Sequence, residues 1–243
     1  MGPAARPHPP RLLHWPPVAR SSVLASLPRF HRGGFWLLVI AAAASALLAD
    51  HPLAGTLTLN LRFTELALWQ PLTAIALYPD GQLGGLIGTL FIQWFIGGQV
   101  EERWGTARYL MLVLASALFG YLVVALLGLA VPQVLAAPMG GTLPADIAAV
   151  AAFGVLHARQ PVQLFGALPL SGRGLAVLVT ALVLLGPLLR GNWPVAVPTA
   201  VAALCGLLLA WRWRAPPSSG KVAARAGRRP RHLKVVDKPR LLN

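Results

Sequence analysis

Six apolar stretches recur along the chain, separated by short polar or charged segments. Most approach the length of about 20 residues that a helix needs to cross a hydrocarbon core of about 30 Å. This pattern predicts an all-α, polytopic membrane protein with a bundle of six transmembrane helices. The predicted spans are residues 35–49, 83–100, 107–131, 144–156, 174–189 and 195–211.

Composition supports the bilayer as the solvent of this chain. Of its 243 residues, 56% are hydrophobic and only 12% are charged, which is far from the balance of an ordinary soluble domain. The single cysteine, Cys205, lies within an apolar stretch. An intrachain disulfide is therefore impossible, and neither a metal site nor a cofactor is predicted.

The positive charge lies mainly in two tails, which divide the chain into three predicted regions. Residues 1–33 form a basic, Pro-rich arm, residues 34–211 the membrane domain, and residues 212–243 a basic disordered tail. With the N-terminus inside and six spans, all but two of the 21 Lys and Arg residues are cytoplasmic. The positive-inside rule therefore places both termini in the cytoplasm.

This placement of charge also predicts the partners. We expect the tails to lie against anionic lipid, and we expect no nucleic-acid partner. The abundance of Ala, Gly, Pro and Arg indicates a GC-rich genome, and this favours a bacterial inner membrane. Every charged residue can be placed in a tail, a loop or a span end, which argues against ion-coupled transport.

Several polar and aromatic residues carry individual predictions. The segment 52–82 is predicted to be an interfacial loop, with Trp69 and Tyr78 at the headgroup boundary. Ser45 and Ser116, inside spans, are predicted to hydrogen-bond neighbouring helices or backbone. No Ser–His pair is placed to meet at one depth, and His157 is predicted to be interfacial.

Two short motifs resemble the rhomboid family of intramembrane serine proteases and their inactive relatives. The first is Trp-Gln-Pro-Leu-Thr, and the second is Gly-x-x-x-Glu-x-x-x-Gly followed by a basic residue at the start of the third span. Together with the spacing of the spans, the resemblance covers roughly residues 35–211. We expect the acidic group and nearby arginines of the second motif to satisfy helix-end backbone groups and one another. The motif residues are Trp69, Thr73, Gly97, Glu101, Gly105 and Arg108.

The resemblance also identifies where catalytic residues would lie. An active member uses a serine at the start of the fourth helix, with a histidine on the sixth as its general base. The serine position corresponds to Leu143 or, with a shift of one residue, Thr142, and the histidine position to Thr199. Thr142 has no base visible in the sequence. The oxyanion-supporting positions of the second helix correspond to Gly85 and Thr89, which weakens or removes both donors.

Small residues predict close helix packing of the kind found in the family. Ala202, Gly206 and Ala210 recur every four residues on the sixth span, and Gly140 and Gly141 precede the fourth.

The resulting functional hypothesis is a non-catalytic rhomboid-like protein that binds or stabilises other transmembrane segments. The resemblance implies that such segments would enter between the second and fifth helices. Two alternatives remain open: an active intramembrane serine endopeptidase with a displaced dyad, and a carrier of a neutral or lipid-like ligand.

Overall fold

The structure, a computed structural model, describes residues 31–48, 51–79, 83–164 and 168–213. The basic arm and the basic tail that the sequence predicts lie almost wholly outside these described residues. The two regions therefore remain predictions.

Within the described residues, each of the six predicted apolar stretches lies almost wholly on a helix. A π-helical segment, Gln93–Gly97, joins α4 to α5 and makes one continuous helix from residue 83 to residue 104. The helices are α1 (Arg32–Leu48), α2 (Ala54–Leu57), α3 (Gln70–Thr73), α4 (Leu83–Ile92), α5 (Gly98–Trp104), α6 (Thr106–Ala130), α7 (Leu143–Leu156), α8 (Gly172–Leu189) and α9 (Trp193–Arg212), with short 3₁₀ helices at Leu61–Glu65, Ala74–Ala76 and Pro132–Leu135.

Three of these helices are long and apolar enough to cross a membrane on their own. They are α6, α8 and α9, with 25, 18 and 20 residues. The shorter apolar helices are α1, with 17 residues, and α7, with 14. These lengths support an integral membrane protein.

Helix α7 forms the centre of the bundle and packs against α6, α8 and α9. Every residue from Pro144 to Gly154 is buried, and most of them are small. Gly206 of α9 lies against the backbone of Ala148, where an added Cβ would stand 2.7 Å from the Ala148 carbonyl oxygen. Small residues therefore bring α7 and α9 into backbone contact, as they often do in membrane bundles.

The described chain is mostly helical, but it contains one short hairpin that the all-α prediction did not include. Strands β1 (Pro161–Leu164) and β2 (Leu168–Ser171) pair antiparallel, with Val162 opposite Leu170. The Ser171 hydroxyl then accepts a hydrogen bond from the Gly174 N–H at 3.0 Å and caps α8. Strand pairing satisfies backbone groups that an irregular loop would leave free.

The segment between α1 and α4 is more ordered than the interfacial loop predicted. Trp69 is half-exposed and its indole N–H donates to the Thr56 carbonyl at 3.1 Å. Tyr78, in contrast, is buried inside the protein, so it does not contact headgroups as predicted, and its level in the membrane stays a prediction. Its ring fills the space beside Gly85 and Gly141, where any Cβ would collide with it. Because Gly85 and Gly141 have no side chain, the large Tyr78 ring fits beside them.

Candidate functional site

The acidic residue of the second motif caps a distant helix. The Glu101 carboxylate accepts hydrogen bonds from the backbone N–H of Gly33 at 2.9 and 3.0 Å and of Gly34 at 3.2 Å. These N–H groups belong to the first turn of α1, where helical backbone leaves donors without intrahelical partners. A negative charge there also interacts favourably with the helix dipole. Glu101 therefore anchors α1 to α5.

The other residues of this motif shape the chain around Glu101. The Thr106 hydroxyl donates to the same carboxylate at 2.7 Å. Gly105 has a φ of 82°, which lets the chain turn between α5 and α6. Arg108 is exposed, and in the described residues it makes no ion pair with Glu101. The expected arginine partnership is therefore wrong; backbone N–H groups and a threonine take its place.

A second group of polar residues lies inside the bundle. We call Tyr78, Thr89, Gln93, Thr142 and Asp146 the polar cluster. Thr89 and Gln93 lie one turn apart in the helix of residues 83–104, whereas Thr142 and Asp146 lie at the start of α7. All five side chains are buried, and those of Thr142 and Asp146 have 0% exposure.

The Asp146 carboxyl group is the hub of the polar cluster. Its Oδ1 accepts from Gln93 Nε2 at 2.7 Å, and its Oδ2 accepts from Thr89 Oγ1 at 2.7 Å and from Thr142 Oγ1 at 3.1 Å. Asp146 lies in the first turn of α7, near the start of the predicted fourth span. Its partners Thr89 and Gln93, however, lie well inside the neighbouring helix, so the acid is an interior group of the bundle. A buried acid needs such donors to offset its desolvation.

Three hydroxyl groups complete the network. The oxygens of Tyr78, Thr89 and Thr142 stand 2.6 to 2.7 Å apart, each in contact with the other two. Ser45 of α1 accepts a hydrogen bond from the Tyr78 backbone N–H at 3.0 Å and holds this residue in position. Thr142, which the sequence left without a base, thus has both hydroxyl and carboxyl neighbours.

The π-helical segment aims Gln93 into the cluster. The Tyr109 hydroxyl of α6 donates to Gln93 Oε1, while Gln93 Nε2 donates to Asp146. An added Cβ on Gly97, the first glycine of the motif, would stand 2.5 Å from that tyrosine oxygen. Gly97 therefore makes room for the side chain that fixes Gln93, and π-helical insertions of this kind are frequent at functional sites.

Thr199 of α9 lies at about the same depth as Thr142. Gly120 of α6 faces the Pro198 carbonyl, and the next residue, Tyr121, donates to the Gly141 carbonyl at 2.8 Å. The beginnings of α7 and α9 thus meet α6 at one level. Both threonines are buried, with exposures of 0% and 2%. The position predicted from the sequence to correspond to the family's histidine is thus a buried threonine.

The three histidines in the described part of the chain do not bond any Ser or Thr oxygen. His51 accepts from the Leu53 N–H at 3.2 Å. The His157 ring stacks on Phe153 with ring centroids 4.5 Å apart, and its Nδ1 has no partner. Burial in the turn after α7 lowers the pKa of His157 below its ordinary value. No imidazole among the described residues is in place to act as base for Thr142.

The two serines inside spans have different environments. Ser45 makes the predicted hydrogen bond to backbone. Ser116 is fully buried on α6, and its hydroxyl has no hydrogen-bond partner among the described residues, so the prediction for Ser116 is wrong there. A buried hydroxyl without a partner is a net cost to folding.

The remaining predicted site residues have packing and backbone contacts. Leu143 begins α7 and packs against the core. Gly140 lies beside the Leu77 carbonyl. The Thr73 hydroxyl donates to the Leu57 carbonyl at 2.6 Å, so the first motif is hydrogen-bonded to the end of α2. Among the described residues, no group of three or more His, Cys, Asp or Glu could hold a metal ion.

Comparison with known families agrees with this architecture. The family model described as the rhomboid domain matches residues 65–216, more than half of the chain. The chain belongs to the rhomboid family. No curated protein sequence matches it.

In this rhomboid-family protein, sequence reasoning missed the central acid of the polar cluster. Two signals could have found it. Gly85, Thr89 and Gln93 recur every four residues and so share one helix face. Asp146 is an ionisable residue in an apolar segment, and such residues usually face the interior and find polar partners. Pairing that face with Asp146 would have predicted the cluster.

Proposed function

We propose that this protein is a non-catalytic member of the rhomboid family that binds or stabilises other transmembrane segments. It crosses the membrane six times, with both termini in the cytoplasm. The short α7 fits this topology because neighbouring helices bury most of its residues. The helix of residues 83–104 supplies the second span.

The observation that carries the proposal is the threonine at position 199, level with Thr142. Acyl transfer by a hydroxyl needs a group that removes its proton. Threonine does not bind a proton near neutral pH as imidazole does. The hydroxyl of Thr142 is moreover held in a closed network with Tyr78 and Thr89, without exposure to solvent.

The packing of α4 and α8 also supports a docking surface for a transmembrane helix of another protein. Helix α8 packs on α7 and α9, and α4 packs on α1 and α7, but the described parts of α4 and α8 share no extensive contact. Large apolar side chains stay exposed on both, including Phe91 at 54% and Leu182 at 61%. These are the second and fifth spans, between which substrates enter in the family.

Photo-crosslinking tests the binding role. A photoreactive amino acid is placed in the full chain at Phe91 or Leu182, and at Met111 of α6 as a matched control with 59% exposure. We expect discrete protein adducts from the first two positions and none from Met111. Identical adduct patterns from all three positions would contradict a specific docking surface.

A second candidate, an active endopeptidase, is favoured by one contact. Asp146 Oδ2 lies 3.1 Å from Thr142 Oγ1 and offers a carboxylate as an alternative base. A fluorophosphonate probe tests this candidate, with an active rhomboid protease as positive control. We expect no labelling of the purified protein. Labelling that disappears in the Thr142→Ala variant would establish catalysis and overturn the non-catalytic proposal.

A further inference from the structure

A large apolar groove lies between α8 and α9. Helices α8 and α9 form its walls and α7 forms its floor, and it encloses about 820 Å³. This volume lies in the range of about 300 to 1,000 Å³ that is typical of small-molecule sites. Its lining includes Gly154, Ala176, Ala181, Leu207 and Trp211.

Helix α8 approaches α7 closely near its own beginning. There Gly154 lies against Ala176, where an added Cβ would stand 2.6 Å from the alanine Cβ, and Gly172 lies against His157. Farther along α8, Leu185 and Leu188 are about half exposed. Small side chains on α7 and on the facing side of α8 then leave the space between α8 and α9 open.

One end of the groove is positively charged. Arg173 lines it and is exposed, and within the described part of the chain this side chain has no ion pair or hydrogen bond. Arg159 and Arg212 follow the lining residues Ala158 and Trp211 directly in sequence, and both are exposed. A guanidinium group matches phosphate geometry well, so this mouth complements an anionic headgroup.

The length of the groove matches one leaflet. Leu184, the last α8 residue of the lining, lies eleven positions after Arg173, which at a rise of 1.5 Å per residue is about 16.5 Å. Half of a hydrocarbon core of about 30 Å is about 15 Å. Trp211, at the charged end, is 72% exposed, as is typical of tryptophan at the headgroup level.

We propose that this groove binds one anionic phospholipid, with an acyl chain between α8 and α9 and the phosphate at Arg173. The positive-inside rule assigns the charged end, and so the lipid, to the cytoplasmic leaflet. A partner transmembrane helix fits less well, because it would extend about 30 Å and meet a cationic mouth.

Native mass spectrometry of the delipidated full-length protein tests the site, with phosphatidylglycerol and phosphatidylcholine as probes. We expect one phosphatidylglycerol per chain, bound more tightly than phosphatidylcholine. Arg173→Gln should weaken phosphatidylglycerol binding about fivefold. Arg190→Gln, at the opposite end of the same helix, should leave it unchanged.

A second pair of variants tests the acyl-chain part. Ala181→Phe fills the groove and should weaken binding of both lipids, whereas Leu182→Phe, on the neighbouring exposed face, should not. Ala203→Phe fills the groove from α9 and replaces Ala181→Phe if that variant fails to fold. Equal effects within either matched pair would overturn the site. The site would also be overturned if Ala181→Phe displaced a copurifying transmembrane polypeptide and not lipid.

Discussion

The Glu101 carboxylate receives both of its shortest backbone hydrogen bonds, of 2.9 and 3.0 Å, from the N–H of Gly33, which lies 68 residues earlier in the chain. The first turn of α1 contains no Ser, Thr, Asp or Asn that could cap it locally. A side chain from another helix therefore supplies the cap. This contact fixes the end of α1 against the turn between α5 and α6.

Loss of the Glu101 charge should destabilise the protein. Glu101→Gln replaces charge-assisted hydrogen bonds with weaker neutral ones, and we expect a loss of about 1 to 3 kcal/mol in unfolding free energy. Unfolding by titration with a denaturing detergent in mixed micelles measures it. Glu102→Gln, at an exposed position, is the matched control and should change stability by less than about 0.5 kcal/mol. Equal stability of the two variants would contradict the capping role.

Asp146 should be replaceable by asparagine but not by leucine. Leucine has a similar size but leaves Gln93 Nε2 without its acceptor, at about 1 to 3 kcal/mol for a buried donor left unpaired, and removes the acceptor that the two threonine hydroxyls share. Asparagine keeps an acceptor and adds a donor that the threonine oxygens can accept. Thermal unfolding of both variants in detergent provides the measurement. If leucine proves as stable as asparagine, the polar cluster does not contribute to folding.

The two serines inside spans should respond oppositely to alanine. Ser45→Ala removes the acceptor of the buried Tyr78 N–H and should cost about 1 to 3 kcal/mol. Ser116→Ala removes a buried hydroxyl that has no partner, so stability should stay the same or rise. The same unfolding titration compares them directly. A larger loss for Ser116→Ala than for Ser45→Ala would show that Ser116 has a partner after all.

Two glycines in the last two helices form another matched pair. Gly206→Ala places a Cβ 2.7 Å from the Ala148 carbonyl and should cost about 1 to 3 kcal/mol, because the opposing atoms are backbone. Gly186→Ala meets no atom within 4 Å and should be neutral or stabilising, since alanine is the better helix former. Thermal unfolding of the two variants checks this. A neutral Gly206→Ala would mean that α7 and α9 can separate at little cost.

The sequence predicted the helices well and the polar contacts poorly. Each apolar stretch lies on a helix, and the ends differ by a few residues, as for the stretch 83–100, whose helix continues to residue 104. The partners of Glu101 and Asp146 were not predicted, and neither was the burial of Tyr78. The arginines near Glu101 in the sequence suggested a local ion pair. The carboxylate instead accepts hydrogen bonds from backbone N–H groups of the distant helix α1.

The sequence by itself determined that this is a membrane protein of the rhomboid type, because hydrophobic length and short motifs are local properties of the chain. Only the tertiary structure decided which polar groups satisfy one another. Asp146 meets Thr89 across 57 residues and Gln93 across 53, and their hydrogen bonds depend on helix rotation and depth. In an apolar interior a buried polar group without a partner costs free energy, but sequence spacing does not say which partner it will meet.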